Sequence, residues 1–213
     1  MNSIAPARCD IADQVMLDGR LALFHQQQRW LAVADLHFGF ELSQRAAGSL
    51  FPLWGMQTIQ SRLEELLTDY SPIHLVLLGD LVHDRTGAGA LSALIEKLNR
   101  HTKVVLIAGN HDRQLAKQAD VVAAWRSDGF YFHHGHCGQE TADEIQVIGH
   151  HHPAQVVRDG AGLRIKLPAF VQQSHCWIMP AFSPWAAGTV WPQDDTSRIW
   201  LCSPTRIISM AAV

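Results

Sequence analysis

Short unbroken apolar runs alternate along the chain with stretches in which apolar residues return every three or four positions. Ile73 to Leu78, interrupted only by His74, and Lys103 to Ala108 are runs of the first kind. Their length suits strands buried on both faces of a parallel sheet. Met56, Ile59, Leu63, Leu66, Leu67 and Tyr70 are spaced along one face of a helix, which Pro72 ends. Leu91, Leu94, Ile95 and Leu98 place a second helix over Ala88 to Asn99. Arg29 to Ala34, Val121 to Ala124, Phe130 to His133 and Ile145 to Ile148 predict further strands. Near the start, Val15-Met16-Leu17 and Leu21-Ala22-Leu23 flank Asp18-Gly19, a hairpin signal. Glu41 to Pro52 has little periodicity and reads as a loop or short helix.

Beyond His152 the pattern changes. Leu163 to Leu167, Ala169 to Gln173, Cys176 to Met179 and Ile199 to Cys202 read as short strands between Gly, Pro and Ser turns. Strand, helix and strand in the first half predict βαβ units, and the later strands a second, more antiparallel sheet. The expected fold is therefore α/β: a sandwich of two mixed sheets with helices on the outer faces. It is expected to form one domain over residues 1–213, since no linker, repeat or low-complexity segment divides the chain.

Composition narrows the class. Hydrophobic residues at 47% and charged residues at 17% describe a folded globular protein rather than a disordered one. A net charge of -3 gives no overall basic field, so composition alone does not single out a nucleic-acid binder. Cys9, Cys137, Cys176 and Cys202 form no CxxC pair, which excludes a zinc ribbon and leaves a reduced, cytoplasmic setting as the expectation. Met1 to Asp10 lacks the apolar core of a secretory signal, and no apolar stretch approaches the ~20 residues of a membrane span. The 13 histidines are the compositional oddity.

Many of those histidines fall into five ordered motifs: Asp35-Leu36-His37, Gly79-Asp80, Gly109-Asn110-His111-Asp112, His134-Gly135-His136 and Gly149-His150-His151-His152. All but the fourth clearly follow a strand-like run, and in open α/β sheets ligands gather at such strand ends. Asp35 and His37 flank Leu36, so in an extended segment both face one ion. Asp80 has two carboxylate oxygens and can bridge two cations. Asn110 adds a neutral carbonyl oxygen, and His134, His150 and His152 add imidazole nitrogen. Two divalent ions carry +4 against -2 from Asp35 and Asp80, and the surplus can stabilise an attacking and a leaving oxygen of a phosphate ester. This mixed set suits Mn, Fe or Zn better than a soft metal.

In this order the motifs resemble those of the calcineurin-like metallophosphoesterases, over Asp35 to His152. Asp35-Leu36-His37-Phe38-Gly39-Phe40-Glu41 and Met179-Pro180-Ala181-Phe182-Ser183-Pro184-Trp185 are similar to segments of the ligase-associated, DNA-damage-response endonucleases within that superfamily. Ala186-Ala187-Gly188 departs from the Thr-Gly-Gly-like turn usual there. The resemblance implies an αββα sandwich and two divalent ions, manganese foremost. Asp35, His37, Asp80 and His152 would hold one ion; Asp80, Asn110, His134 and His150 the other. His111 would contact the scissile phosphate or protonate the leaving oxygen, and Asp112 would orient His111 through its other ring nitrogen. Arg45, Arg113 and His136 are the expected substrate contacts. The implied substrate is a phosphodiester such as DNA, and the implied partners are a DNA ligase or helicase of a repair system.

Each motif alone is weak: Gly-Asp and Gly-Asn are ordinary turn signals. Trp54, Trp185 and Trp191 read as packing residues rather than stacking platforms. Two other functions compete. A hydrolase of a small nucleotide or a phosphomonoester fits a chain without a basic run. A metal-binding scaffold without catalysis fits less well, because it has no need of His111.

Overall fold

The apolar runs lie side by side, each feeding a polar turn at the same end of the molecule. A computed structural model describes residues 5–112, 115, 120–136, 143–158 and 160–210. Among these, the first sheet contains β1 (Arg8–Ala12), β2 (Val15–Asp18), β3 (Ala22–His25), β4 (Trp30–Ala34), β5 (His74–Leu78), β6 (Lys103–Ile107) and β7 (Val121–Val122), in that spatial order. β1 to β4 pair antiparallel, and β4 to β7 pair parallel. The second sheet contains β8 (Ala124–Ser127), β9 (Phe130–His133), β10 (Ile145–Ile148), β11 (Pro153–Arg158), β12 (Arg164–Gln172), β13 (Cys176–Ile178), β14 (Thr189–Val190), β15 (Arg198–Ser203) and β16 (Arg206–Ser209). Its order is β14-β11-β12-β13-β10-β9-β8, with β15 added beside β12 and β16 beside β15. Both sheets are mixed, as expected.

Parallel neighbours need a crossover, and in the first sheet helices supply two of them. α1 (Phe40–Ala46) and α2 (Trp54–Tyr70) lie between β4 and β5, and α3 (Ala88–Leu98) lies between β5 and β6. α2 buries Ile59, Leu63, Leu66 and Leu67, and α3 buries Leu91, Leu94 and Leu98; these are the rows their spacing predicts. Ser71, in the left-handed region at φ 42°, ends α2 just before Pro72. All three described α-helices belong to the first half of the chain. From residue 120 on, the described residues are strands and turns.

The sheets face each other across one core. Trp30 of β4, with no exposed surface, meets Phe132 of β9 edge to face at 5.0 Å and Phe130 at 5.1 Å. Such pairs add about 0.5–1.5 kcal/mol beyond burial. Phe170 and Trp177 extend the same core from β12 and β13. A parallel bridge between Ala34 and Ala181 ties the end of β4 to the segment after β13.

Several strands differ from expectation, most of them in the second half. Leu163 to Leu167 and Ala169 to Gln173 are not two strands but one, β12. Pro168 falls where β12 changes partners: residues up to 168 pair β11, and residues from 169 pair β15. At such a handover a missing N–H is tolerated. β11, β14 and β16 were not expected, because half-exposed residues such as Val157 and Ile208 break the alternation there. β1 was not expected either; its sequence Arg-Cys-Asp-Ile-Ala has one buried residue, Ile11.

Candidate metal centre

All five motifs stand at the C-terminal ends of strands. Asp35 follows β4, Gly79-Asp80 follows β5, Asn110 comes shortly after β6, His134 follows β9 and His150 comes shortly after β10. This includes the fourth motif, whose strand the sequence shows less clearly. β4, β5 and β6 run in register, with Ala34 opposite Leu78 and Leu78 opposite Ile107, so their polar ends arrive at one level. β9 and β10 are parallel and deliver His134 and His150 from the other sheet.

The backbone at these turns is tight. Asp35, His37, Asp80, His150 and His152 adopt φ of 55°, 43°, 44°, 68° and 46°. Left-handed backbone is uncommon outside glycine, and held strain of this kind clusters at functional sites. Gly109 passes so close to Asp80 that a Cβ there would overlap the Asp80 backbone nitrogen and Oδ1.

The donor atoms form two groups with one member in common. One ligand atom from each of Asp35, His37, Asp80 and His152 lies within 4.8 Å of the others, and so does one from each of Asp80, His134 and His150. Asp80 therefore stands between them. His134 Nε2 is 3.4 Å from Asp80 Oδ1, and His37 Nε2 is 4.0 Å from Asp80 Oδ2. His152 Nε2 is 3.6 Å from Asp35 Oδ1. Asn110 Oδ1 joins the second group, 3.1 Å from His134 Nε2. The Asp35 carboxylate is also fixed from behind, accepting the His150 backbone N–H at 3.0 and 3.1 Å.

Imidazole nitrogens confront each other in both groups: His37 Nε2 and His152 Nε2 at 3.4 Å, His134 Nε2 and His150 Nδ1 at 3.2 Å. Asp35 and Asp80 are buried beside them. Converging lone pairs and two buried carboxylates fit divalent cations. Burial pushes the His37 pKa down to about 4, with the Asp80 and Asp35 charges opposing, so its ring is neutral at physiological pH. Burial likewise lowers that of His150. Burial acts against the charged form of His152 too, but its hydrogen bond to Asp35 and the nearby carboxylate charges raise its pKa overall. A cation there would compete with protons for the ring nitrogen.

The remaining expected residues fall in different places. His111 is exposed above the centre; its backbone N–H donates to Asp80 Oδ1 at 3.0 Å, and its Nε2 is 3.9 Å from Asp80 Oδ2. Asp112 does not orient that ring. Its buried carboxylate accepts backbone N–H groups from Gly109 at 2.8 Å, Leu81 at 3.0 Å and Val82 at 3.3 Å. The reason is geometric: the turn after Asn110 points the Asp112 side chain inward, away from the exposed His111 ring. Asp112 thus clamps the loops that carry Asp80 and Asn110. His136 is exposed, with its ring 5.3 Å from that of His134 and 6.3 Å from that of His150. Arg45 is exposed in the last turn of α1 and does not line the cleft beside His111. Arg113 lies outside the described residues, as do Lys117 and Cys137.

The cleft beside His111 is lined by His37, Phe40, His83, His152, Ser183 and Trp185 among others. Sequence reasoning took Trp185 as packing. Trp185 does pack, at 4.3 Å from Trp54 and 4.6 Å from Phe51, but it also forms this wall. Buried Glu41 holds it in place, accepting Trp185 Nε1–H at 3.0 Å and the Met56 N–H at 2.6 Å. The segments Asp35–Glu41 and Met179–Trp185, distant in sequence, thus meet at one side of the centre.

A model of the calcineurin-like phosphoesterase family matches residues 29–166, which carry both donor groups. The chain belongs to the calcineurin-like phosphoesterase family, and it is a metal-dependent phosphoesterase, a hydrolase. It is similar to the nuclease MPE of Pseudomonas putida, with 28% identity, a TM-score of 0.76 and coverage of 96% of this chain and 100% of that one. It also aligns with the phosphoesterase Yfce of E. coli at 18% identity and a TM-score of 0.47, over 86% of this chain and 98% of the other. No curated protein matches it. No described helix is long and apolar enough to cross a membrane.

Proposed function

We propose that the chain is a phosphodiesterase of nucleic acid that works with two divalent cations. The observation that carries this reading is the position of Asp80, common to both donor groups and directly beneath His111. Asp35, His37, Asp80 and His152 would hold one cation; Asp80, Asn110, His134 and His150 the other. When bound, such cations supply Lewis acidity and lower the pKa of water. The chain's own groups do the rest. His111, exposed at the mouth, gives a proton to the leaving oxygen. Asp112 keeps the two loops in register, and His136 lies where it can meet substrate.

The oxygen and nitrogen donors suit manganese. Similarity to the Pseudomonas nuclease and to the DNA-damage-response endonucleases supports DNA as substrate, and a repair setting with a ligase or helicase as the context. Cys9, Cys176 and Cys202 are free thiols, in keeping with a cytoplasmic location. One feature favours a small phosphodiester or a phosphomonoester instead: the net charge of -3, with no basic run. Hydrolysis of DNA, a cyclic nucleotide, an aryl phosphodiester and a phosphomonoester, compared with manganese as the sole added metal, decides. Brisk turnover of small substrates with none of DNA would reject the nuclease reading.

A further inference from the structure

A cavity of about 340 Å³ opens beside the centre. It shares His152, Ser183 and Ala186 with the cleft beside His111, so the two adjoin. Arg62 of α2 and Lys166 of β12 bring two cationic side chains to its wall, and no carboxylate lines it among the described residues. Much of the remaining surface is apolar, including Leu21, Pro153, Leu167 and Pro204.

Arg62 is the unusual member. A guanidinium has five N–H donors. One goes to the Phe182 carbonyl at 3.1 Å, and the group lies 4.9 Å over the Phe182 ring. Among the described residues no carboxylate comes within ion-pair distance of it. The neighbouring Arg20, by contrast, is held by Asp18 and Asp69, each at 2.7 Å. Burial pushes the Arg62 pKa down, with Glu65 opposing only through its more distant charge. A half-buried guanidinium with free donors is strongly favoured by an anion placed against it. Lys166 spends one donor on the Gly188 carbonyl at 3.2 Å, and an ammonium has three.

We propose that this cavity is a nucleotide subsite, in which Arg62 and Lys166 grip a phosphate adjacent to the scissile one and the apolar walls take its sugar and base. The proposal rests on the phosphodiesterase reading above and gives it a preference: a substrate with a second phosphate is favoured over an isolated diester. The volume lies near the low end of the ~300–1,000 Å³ typical of small-molecule sites, enough for one nucleotide and too small for a duplex.

Two measurements test it. The first is binding, in EDTA, of thymidine 5′-monophosphate, the 5′-phosphorylated thymidine dinucleotide and inorganic phosphate, by calorimetry. Arg62→Met should weaken the dinucleotide roughly ten- to a hundredfold, the range for a lost hydrogen bond to a charged group. Arg62→Lys should recover part of this, and inorganic phosphate should bind far more weakly than either nucleotide. The second is kinetic, with manganese: the ratio of kcat/KM on the dinucleotide to that on an aryl phosphodiester should fall at least tenfold in Arg62→Met, through KM. Where Arg62→Met does not fold, Lys166→Met and Arg62→Lys carry both tests. Equal losses on both substrates, or unchanged dinucleotide binding, would overturn the subsite. Inorganic phosphate binding as tightly as the nucleotides would reduce it to a bare anion site and overturn the nucleotide assignment. If the wild type hydrolyses neither diester, the phosphodiesterase reading fails, while the binding arm still decides the subsite.

Discussion

A methyl group at Gly79 would overlap Nδ1 of the His134 ring. Gly79 also adopts φ 69°, so any other residue there meets strain and collision together. This contact lets β5, of the first sheet, seat a donor delivered by β9, of the second. Gly79→Ala should therefore push His134 off the second donor group. The expected result is a loss of bound manganese at one of two sites and a drop in turnover of at least tenfold, with the fold retained. Two full equivalents of metal in the variant, by elemental analysis, would show that His134 is not a ligand.

Asp80→Asn tests the shared carboxylate. The charge at Asp80 lies between both donor groups, so its removal leaves two cations repelling each other with less compensation. Turnover should vanish, and metal affinity should fall at both sites rather than one. Full occupancy of one site with loss only at the other would assign Asp80 to a single cation.

His111 belongs to neither donor group, and its ring is exposed. His111→Ala should keep both metals and lose rate by roughly 10²–10⁴, the usual worth of general acid catalysis. The loss should shrink on an ester whose leaving group is already acidic, since that group needs little protonation. Equal losses on good and poor leaving groups would indicate that His111 positions the phosphate instead.

That Asp35, His37, Asp80, Asn110, His134, His150 and His152 would converge was legible because the chemistry expected of them restricts them twice, to a few residue types and to strand ends. β4, β5 and β6 were legible because strands buried on both faces are almost wholly apolar. Asp112 was misread because adjacency to His111 in sequence suggested adjacency in space, whereas the turn sends the two side chains in opposite directions. Trp185 and Glu41 could be seen only as parts of two similar segments. That they bond to each other is long-range information, 144 residues apart, that no local pattern carries. Arg62 carries no motif in the sequence, and that no carboxylate pairs with it among the described residues is visible only in three dimensions.

The corrected role of Asp112 makes its own prediction. Its carboxylate satisfies three buried backbone donors, and burial raises its pKa while the hydrogen bonds from Gly109, Leu81 and Val82 oppose that rise. Asp112→Ala strands those donors, at about 1–3 kcal/mol for a buried group left unpaired. It should lower the melting temperature and weaken metal binding, whereas a residue that only polarised His111 would leave both unchanged. Thermal unfolding in EDTA separates the two, since it reads the clamp without the metal.

Asp18 ties the first hairpin to the end of α2, and its buried network predicts an effect on the acid response. Its carboxylate is fully buried. It accepts the Arg20 backbone N–H at 2.8 Å, Arg20 Nε at 3.0 Å, Arg20 Nη2 at 2.7 Å and the Tyr70 hydroxyl at 2.7 Å. Burial alone would raise its pKa, but the bonds from Arg20 and Tyr70 prevail and hold it below the ordinary carboxylate value. A group whose folded pKa is depressed stabilises the fold fully above its unfolded pKa, about 3.9. That contribution is lost as pH falls through the lower folded value. Asp18→Asn should therefore destabilise the protein at pH 7, by roughly 3 kcal/mol, the low end for a broken buried pair. The low end applies because Asp69 still holds Arg20 at 2.7 Å. The same variant should lose less stability than the wild type between pH 5 and pH 3, because it has no carboxylate at this position to take up a proton on unfolding. Urea unfolding at pH 7, 5 and 3 measures both effects. Parallel pH profiles for the two proteins would show that Asp18 does not govern the acid response.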